Sequence, residues 1–321
     1  MMRVAVLGVG AVGGLIAARM SQAGCEMLLC ARGDNAHALQ AVGLLLEKPD
    51  GRTIALAPDR WAVIDTGNGE VPSEWQGWAD YAILCGKSYQ TRELCRIADQ
   101  VLAIDGLALS LSNGLGHMER LIGHVGRHRV LGASTTHGAI RIGPGEVRWT
   151  SPGRIDLGAP EGSDLEPVEP RVDRLLSAFD EGDLNPGWSE EIDKTIWVKL
   201  LLNVAINPVC AITGVRNGVM LAQPELFEAG LAAMEEAARV ASAEGVDMSD
   251  IDLAAVLEDL CKKTSNNRVS MLQDLMAGVT TEVDSICGEV IRRGEELGIS
   301  TPRNQTLLAL VKGIEESSNY D

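Results

Sequence analysis

Lys199, Asn203 and Asn207 recur at intervals of four within Trp197–Pro208. Read as a helix, this stretch puts the three at i, i+4 and i+8, on one narrow stripe. Around them stand Trp197, Val198, Leu200, Leu201, Leu202, Val204, Ala205 and Ile206. A solvated face would be wider and richer in Glu, Lys and Arg. Here a single cation and two neutral amides interrupt an otherwise apolar helix. Burying each amide unpaired would cost roughly 1–3 kcal/mol, and the ammonium more. The stripe is therefore expected to face a polar cleft, a ligand or buried partners. The alternative is a lysine that snorkels to water while the amides bond to nearby backbone. Spacing alone leaves both open.

A second set of residues could hold a phosphate. Val4–Leu7 reads as a short buried strand, Gly8-Val9-Gly10-Ala11-Val12-Gly13 follows at once, and Ala11–Ala23 reads as a helix closed by Gly24. Strand, glycine turn and helix in this order give the G-x-G-x-x-G spacing its required context. Gly8 allows the tight turn, Gly10 lets backbone approach a pyrophosphate, and Gly13 lets helix and strand pack closely. The helix N-terminus adds free N–H groups and a positive dipole. Gly8, Val9, Gly10, Ala11, Val12 and Gly13 are thus candidate cofactor contacts; a tight β–α turn with no ligand is the alternative. The second strand, Glu26–Cys30, leads into Ala31-Arg32-Gly33-Asp34. NAD-binding units usually end this strand with an acid for the ribose 2′-hydroxyl. Arg32 in that place suits a 2′-phosphate, which favours NADP(H), although Asp34 competes as a ribose partner and Arg32 could be a solvated loop charge.

The elements that must carry these groups can be traced along the chain. Leu44–Glu47 and Thr53–Ala57 flank Lys48-Pro49-Asp50-Gly51, a hairpin signal. Residues 59–78 hold three of the six tryptophans and take no assignment. Tyr81–Cys85 is a strand ending in Gly86-Lys87-Ser88-Tyr89-Gln90, and Leu107–Leu111 is a strand ending in Ser112-Asn113-Gly114. Ligands of open α/β sheets bind beyond the carboxyl ends of strands, where Lys87 and Asn113 both fall. An exposed loop lysine and a turn-forming Asn-Gly are the plainer readings of these two. Val130–Ala133 continues the sheet, and Ile140–Leu157 reads as an antiparallel extension with Gly-Pro turns. Residues 164–179 form an acidic linker and a surface helix. Beyond a boundary near Ser189 the chain is helical: Glu190–Cys210, Pro224–Glu244, Leu253–Lys262, Ser270–Ala277, Thr280–Glu296 and Arg303–Ser317, with Asn319–Asp321 a frayed tail. The fold class is α/β: an N-terminal Rossmann-type dinucleotide-binding domain over 1–188, followed by an all-α domain over 189–321.

Composition narrows the function. At 321 residues, 45% hydrophobic and 23% charged, the chain suits a soluble two-domain protein. A formal charge of −17 argues against nucleic acid and against an anionic membrane surface as partners. The seven cysteines are scattered without a C-x-x-C pair, and His is sparse, so reduced core thiols are expected and no metal site. The N-terminus does not read as a signal peptide, and no apolar run is expected to reach membrane-spanning length. The expected location is the cytoplasm.

Taken together, Gly8–Gly13, Gly86–Gln90, Ser112-Asn113-Gly114, Ser134-Thr135-Thr136-His137-Gly138, Trp197–Pro208, Arg216-Asn217-Gly218, Asn267–Asp274 and Thr281-Glu282-Val283-Asp284 resemble the ketopantoate reductase (2-dehydropantoate 2-reductase) family almost from end to end. The resemblance implies reduction of 2-dehydropantoate to pantoate by NADPH, on the way to pantothenate and coenzyme A. It implies Lys199 as general acid and Glu282 as its acidic partner. It implies Asn203, Asn207, Asn267 and Ser270 as substrate-binding groups, and Lys87, Gln90 and Asn113 around the nicotinamide half of the cofactor, with Asn113 and Lys87 also near the reacting carbonyl. Asn217 is a further match. The chemistry is consistent, because hydride arriving at a ketone builds an alkoxide that needs a positioned proton donor. A lysine is a sluggish acid at neutral pH unless desolvation lowers its pKa, which apolar neighbours would do for Lys199. All these groups are expected to meet in one interdomain cleft. Two other functions compete: reduction of another branched 2-oxo acid, and NADP(H) sensing without turnover. The helical domain could support a homodimer.

Overall fold

The computed structural model describes residues 1–68 and 70–317; the expected tail, Asn319–Asp321, lies outside them. The chain divides into two compact units, Met1–Ser112 with His117–Asp193, and Asn113–Gly116 with Lys194–Asp321. Ile192 packs where any side chain on Gly132 or Gly158 would stand. The four residues Asn113–Gly116 group with the helical unit although they follow a strand of the first.

The first unit is α/β. Its main sheet runs β12-β11-β8-β7-β6-β1-β2-β5, built from β1 (Arg3–Leu7), β2 (Glu26–Ala31), β5 (Trp61–Asp65), β6 (Ala79–Leu84), β7 (Leu102–Ser110), β8 (Val130–Thr135), β11 (Ile155–Gly158) and β12 (Pro186–Trp188). The strands from β8 to β5 are parallel, and β11 runs antiparallel to β8. Strand order reverses at β1, whose two neighbours are β2 and β6, so its carboxyl end lies at the switch point where ligands of such sheets bind. The near-continuous apolar runs of β1, β2 and β6 follow from burial on both faces. Among the described residues this unit carries the α-helices α1 (Ala11–Gln22), α2 (Gly33–Ala41), α3 (Thr91–Val101), α4 (His117–Val125) and α5 (Pro170–Glu181). Two apolar clusters form its core, one including Val6, Leu15, Leu29 and Phe179, the other Leu7, Leu28, Leu84 and Ile97.

The 44–57 hairpin forms as β3 (Leu44–Glu47) and β4 (Thr53–Leu56). It belongs to a separate four-stranded sheet, β4-β3-β10-β9, completed by β9 (Gly138–Gly143) and β10 (Glu146–Ser151). The antiparallel stretch expected over Ile140–Leu157 therefore serves two sheets. Residues 59–78 contribute β5, an edge strand pairing in parallel with β2.

The second unit is helical: α6 (Ile192–Thr213), α7 (Val219–Ala222), α8 (Pro224–Ala243), α9 (Leu253–Lys263), α10 (Ser270–Met276), α11 (Glu289–Leu297) and α12 (Pro302–Ser317). A π-helical turn, Asp284–Gly288, leads into α11, where one continuous helix was expected. By length and composition α6 could cross a membrane, against the expectation that no run would. Most of its apolar stretch is instead buried in the core of this unit, through Trp197, Leu200, Leu201, Val204 and Val209. Six of the seven cysteines are buried and Cys85 partly so, all as free thiols. Burial pushes the Cys30 and Cys287 thiols up to about 12.

Candidate functional site

In the first unit, the candidate groups gather at the carboxyl ends of β1 and β6. The Gly8 and Val9 N–H groups both donate to the Cys30 carbonyl at the end of β2, at 3.0 and 3.3 Å. Gly8 has φ +89°, and a Cβ there would lie 2.6 Å from the Gly86 nitrogen, so only glycine lets the two loops lie side by side. A Cβ on Gly13 would strike the Gly8 carbonyl at 2.3 Å, which is the close turn-to-helix packing expected of it. At Gly10, by contrast, an added Cβ would meet nothing within 4 Å among the described residues. No side chain caps α1, and its first turn carries no acid. Open space above Gly10 and an uncapped, uncountered helix N-terminus fit a pyrophosphate.

One support of this loop escaped the sequence reading. Buried Asn35 donates from Nδ2 to the Val9 carbonyl at 2.6 Å and accepts at Oδ1 from the Gly145 N–H at 2.9 Å. It ties the glycine loop to the β9–β10 turn. The loop after β6 is closed locally: the Lys87 N–H donates to Gln90 Oε1 at 3.0 Å, and Ser112 Oγ donates to the Gly86 carbonyl at 2.8 Å. Lys87 and Gln90 are partly buried there. Arg32, exposed beyond β2, pairs through Nη2 with Glu93 of α3 and lies 3.4 Å through Nε from Thr66 Oγ1.

In the second unit the stripe is realised. Lys199, Asn203 and Asn207 lie on α6; Asn207 is buried and the other two partly so. Burial among apolar side chains brings the Lys199 ammonium down to about 8, and the Glu282 carboxylate acts against that by favouring the charge. Glu282 is itself buried, just before the π-helical turn, and its Oε2 accepts from Asn113 Nδ2 at 3.0 Å. Asn113 thus stands with the helical unit's carboxylate.

Ser285 explains why, and nothing in its residue type announces it. Its Oγ lies 3.0 Å from the Glu282 carbonyl and 3.3 Å from the Asn113 carbonyl, and its own carbonyl accepts from the Leu115 N–H at 3.0 Å. Gly114, at φ +90°, admits this contact because a Cβ would fall 2.3 Å from the Ser285 carbonyl oxygen. The helix bearing Lys199 is anchored two residues earlier. Buried Trp197 packs 5.9 Å from the Arg293 guanidinium, which pairs with Glu244 at 2.8 Å.

Asn267 and Ser270 are exposed around the start of α10. Arg216-Asn217-Gly218 clasps the turn before them. Asn217 N–H donates to the Asn267 carbonyl at 3.1 Å, Asn217 Nδ2 to Thr264 Oγ1 at 2.8 Å, and Arg216 Nη1 to the Asn266 carbonyl at 2.7 Å. Asn217 is therefore a brace for Asn267. His137, from the 134–138 motif, is buried in the first unit: Nδ1 accepts from the Gly153 N–H and Nε2 donates to the Leu184 carbonyl, both at 2.9 Å. It joins three segments of chain.

An ammonium with its pKa lowered toward neutrality, a carboxylate that modulates it and an amide that orients the carboxylate can hold and protonate an oxygen. Comparison with known proteins places the chain in a family. Residues 4–162 match the family model for ketopantoate reductase PanE/ApbA, and residues 191–315 match its C-terminal counterpart. A 2-dehydropantoate 2-reductase of Archaeoglobus fulgidus is 32% identical over 313 residues, covering 98% of each chain. The PanE/ApbA family ketopantoate reductase from Ralstonia eutropha JMP134 superimposes with a TM-score of 0.86 at 29% identity, over 99% of this chain and 100% of that one. D-mandelate dehydrogenase, solved with NADH and anilino(oxo)acetate, gives 0.88 at 25% identity over the same shares. The chain belongs to the ketopantoate reductase family.

Proposed function

We propose that this chain is an oxidoreductase that reduces 2-dehydropantoate to pantoate with NADPH, as a cytoplasmic step toward pantothenate and coenzyme A. The observation that carries the reading is the partly buried Lys199, its pKa lowered to about 8 by burial against the opposing pull of Glu282. NADPH, when bound, supplies hydride to the ketone carbon. The first unit's groups would hold it: Gly8–Gly13 and the α1 N-terminus would take the pyrophosphate, Arg32 the 2′-phosphate, and Lys87 and Gln90 the nicotinamide half. Lys199 gives its proton to the developing alkoxide. Glu282 keeps that lysine charged in the ground state, and Asn113 fixes the carboxylate. Asn203, Asn207, Asn267 and Ser270 bind the 2-oxo acid through amides and a hydroxyl. The reading requires hydride and proton to reach one carbonyl.

A second reading keeps these steps and changes the substrate to another 2-oxo acid. The likeness to D-mandelate dehydrogenase favours it, since that protein was solved with a different oxo acid. NADP(H) sensing without turnover fits less well, because a sensor needs no tuned lysine. Steady-state assays with NADPH and a panel of 2-oxo acids separate these. Highest kcat/KM for 2-dehydropantoate supports the main reading, a different best substrate the second, and binding without turnover the third. The helical unit is also where we place any homodimer contact, testable by light scattering.

A further inference from the structure

Arg32 stands where a 2′-phosphate would be read, yet its guanidinium is already engaged. Nε and Nη2 form one edge of the fork, the edge that grips a phosphate or carboxylate with two parallel bonds. In this chain Nη2 meets the Glu93 carboxylate, and Nε lies 3.4 Å from Thr66 Oγ1, which in turn lies 3.3 Å from the Ala31 carbonyl. Thr66 is buried and anchored at the end of β5, so one donor is held by the scaffold. Glu93 sits in the first turn of α3, where the helix dipole favours its negative charge. Both partners are thus placed independently of Arg32. The side chains of Arg32 and Glu93 remain 41% and 30% exposed, open enough for exchange of partners.

We infer that Glu93 is a specificity-determining residue, an internal competitor that occupies on Arg32 the place a 2′-phosphate would take. The inference rests on the reading of Arg32 as the 2′-phosphate contact. A cofactor bearing that phosphate must displace Glu93 from the fork and then sit beside a carboxylate. A cofactor with a plain 2′-hydroxyl meets neither demand. Glu93 therefore narrows the preference for NADPH over NADH that Arg32 alone would set, and it leaves the chemical step untouched.

The test is equilibrium binding to the full chain without substrate, by calorimetry with NADPH and NADH in turn. It compares wild type, Glu93→Gln, Arg32→Ala and the double variant. Glu93→Gln should tighten NADPH by about three- to tenfold, the scale of one exposed ion pair plus one relieved repulsion, and change NADH little. High salt should shrink the effect. In the Arg32→Ala background the Glu93 substitution should keep only the smaller gain from the relieved repulsion, because no ion pair is left to displace. Glu93→Ala guards against a glutamine that keeps a bond to the fork. If both Glu93 variants leave the NADPH-to-NADH ratio unchanged while Arg32→Ala lowers it, the inference is wrong and the NADPH reading stands. An equal gain with Arg32 absent also overturns it, since the carboxylate then acts on the phosphate directly. If Arg32→Ala leaves the ratio unchanged, the reading beneath the inference fails.

Discussion

The side-chain amide of Asn113 donates a 3.0 Å hydrogen bond to Oε2 of Glu282, joining residues 169 positions apart inside one compact unit. An asparagine that follows a sheet strand in sequence is thereby made part of a helical unit's charge arrangement. The carboxylate it orients acts on Lys199, so these three residues form one electrostatic system.

Glu282 raises the pKa of Lys199 against a larger lowering by burial, leaving it at about 8. A group that must donate a proton is active below its pKa and loses activity as pH rises through it. The kcat for ketone reduction should therefore fall as pH passes about 8. Glu282→Gln removes the opposing charge, so this falling limb should move to lower pH, apart from any loss of rate. A limb that stays in place would show that the carboxylate does not govern the lysine.

Gly114→Ala separates backbone strain from displacement of Asn113. At φ +90° an alanine costs about 1–2 kcal/mol in strain alone, and its Cβ would also strike Ser285. Gly126 has φ +87° with nothing among the described residues within 4 Å of an added Cβ, so Gly126→Ala carries the strain without the collision. Both variants should melt lower than wild type. Only Gly114→Ala should lower kcat, by about tenfold or more, as the acidic partner loses its orienting amide. Equal kcat in the two variants would remove the Asn113 placement from the mechanism.

His137 predicts a pH dependence of stability. Burial lowers its pKa below 6.5, and its bond to the Leu184 carbonyl opposes this only in part. The unfolded chain then takes up the proton first as pH falls. Stability from this residue is full above about pH 6.5 and is lost as pH drops through the folded value. His137→Ala leaves the Gly153 N–H and Leu184 carbonyl without their partner and should cost about 1–3 kcal/mol at neutral pH. Its melting temperature should fall less than the wild type's between neutral and mildly acidic pH. Parallel declines would assign the acid sensitivity elsewhere.

Local patterns were legible in the sequence and long-range pairings were not. The α6 stripe follows from helical spacing alone, and the glycine turn from its place between strand and helix. The 44–57 hairpin was legible from Lys48–Gly51, but its sheet partner β10 lies about a hundred residues on, and β3 pairs with it in parallel. Strand β5 escaped because only two of its five side chains are fully buried, leaving no clear alternation. The π-helical turn adds a residue to the helical repeat, which a 3.6-residue pattern read as continuous helix. That extra residue is why Ser285 and its hold on Asn113 could not be read in advance. Arg32 was legible by position, but its pairing with Glu93 brings together residues 61 apart.

The most direct test is kcat of Lys199→Ala with NADPH and 2-dehydropantoate, measured beside the NADPH dissociation constant. Loss of a positioned acid should lower kcat by roughly 10²- to 10⁴-fold, while NADPH affinity, which the proposed function assigns mainly to the glycine loop and Arg32, should stay near the wild-type value. A variant that keeps most of its kcat would contradict the assignment of Lys199 as proton donor and return it to a lysine that merely reaches for water.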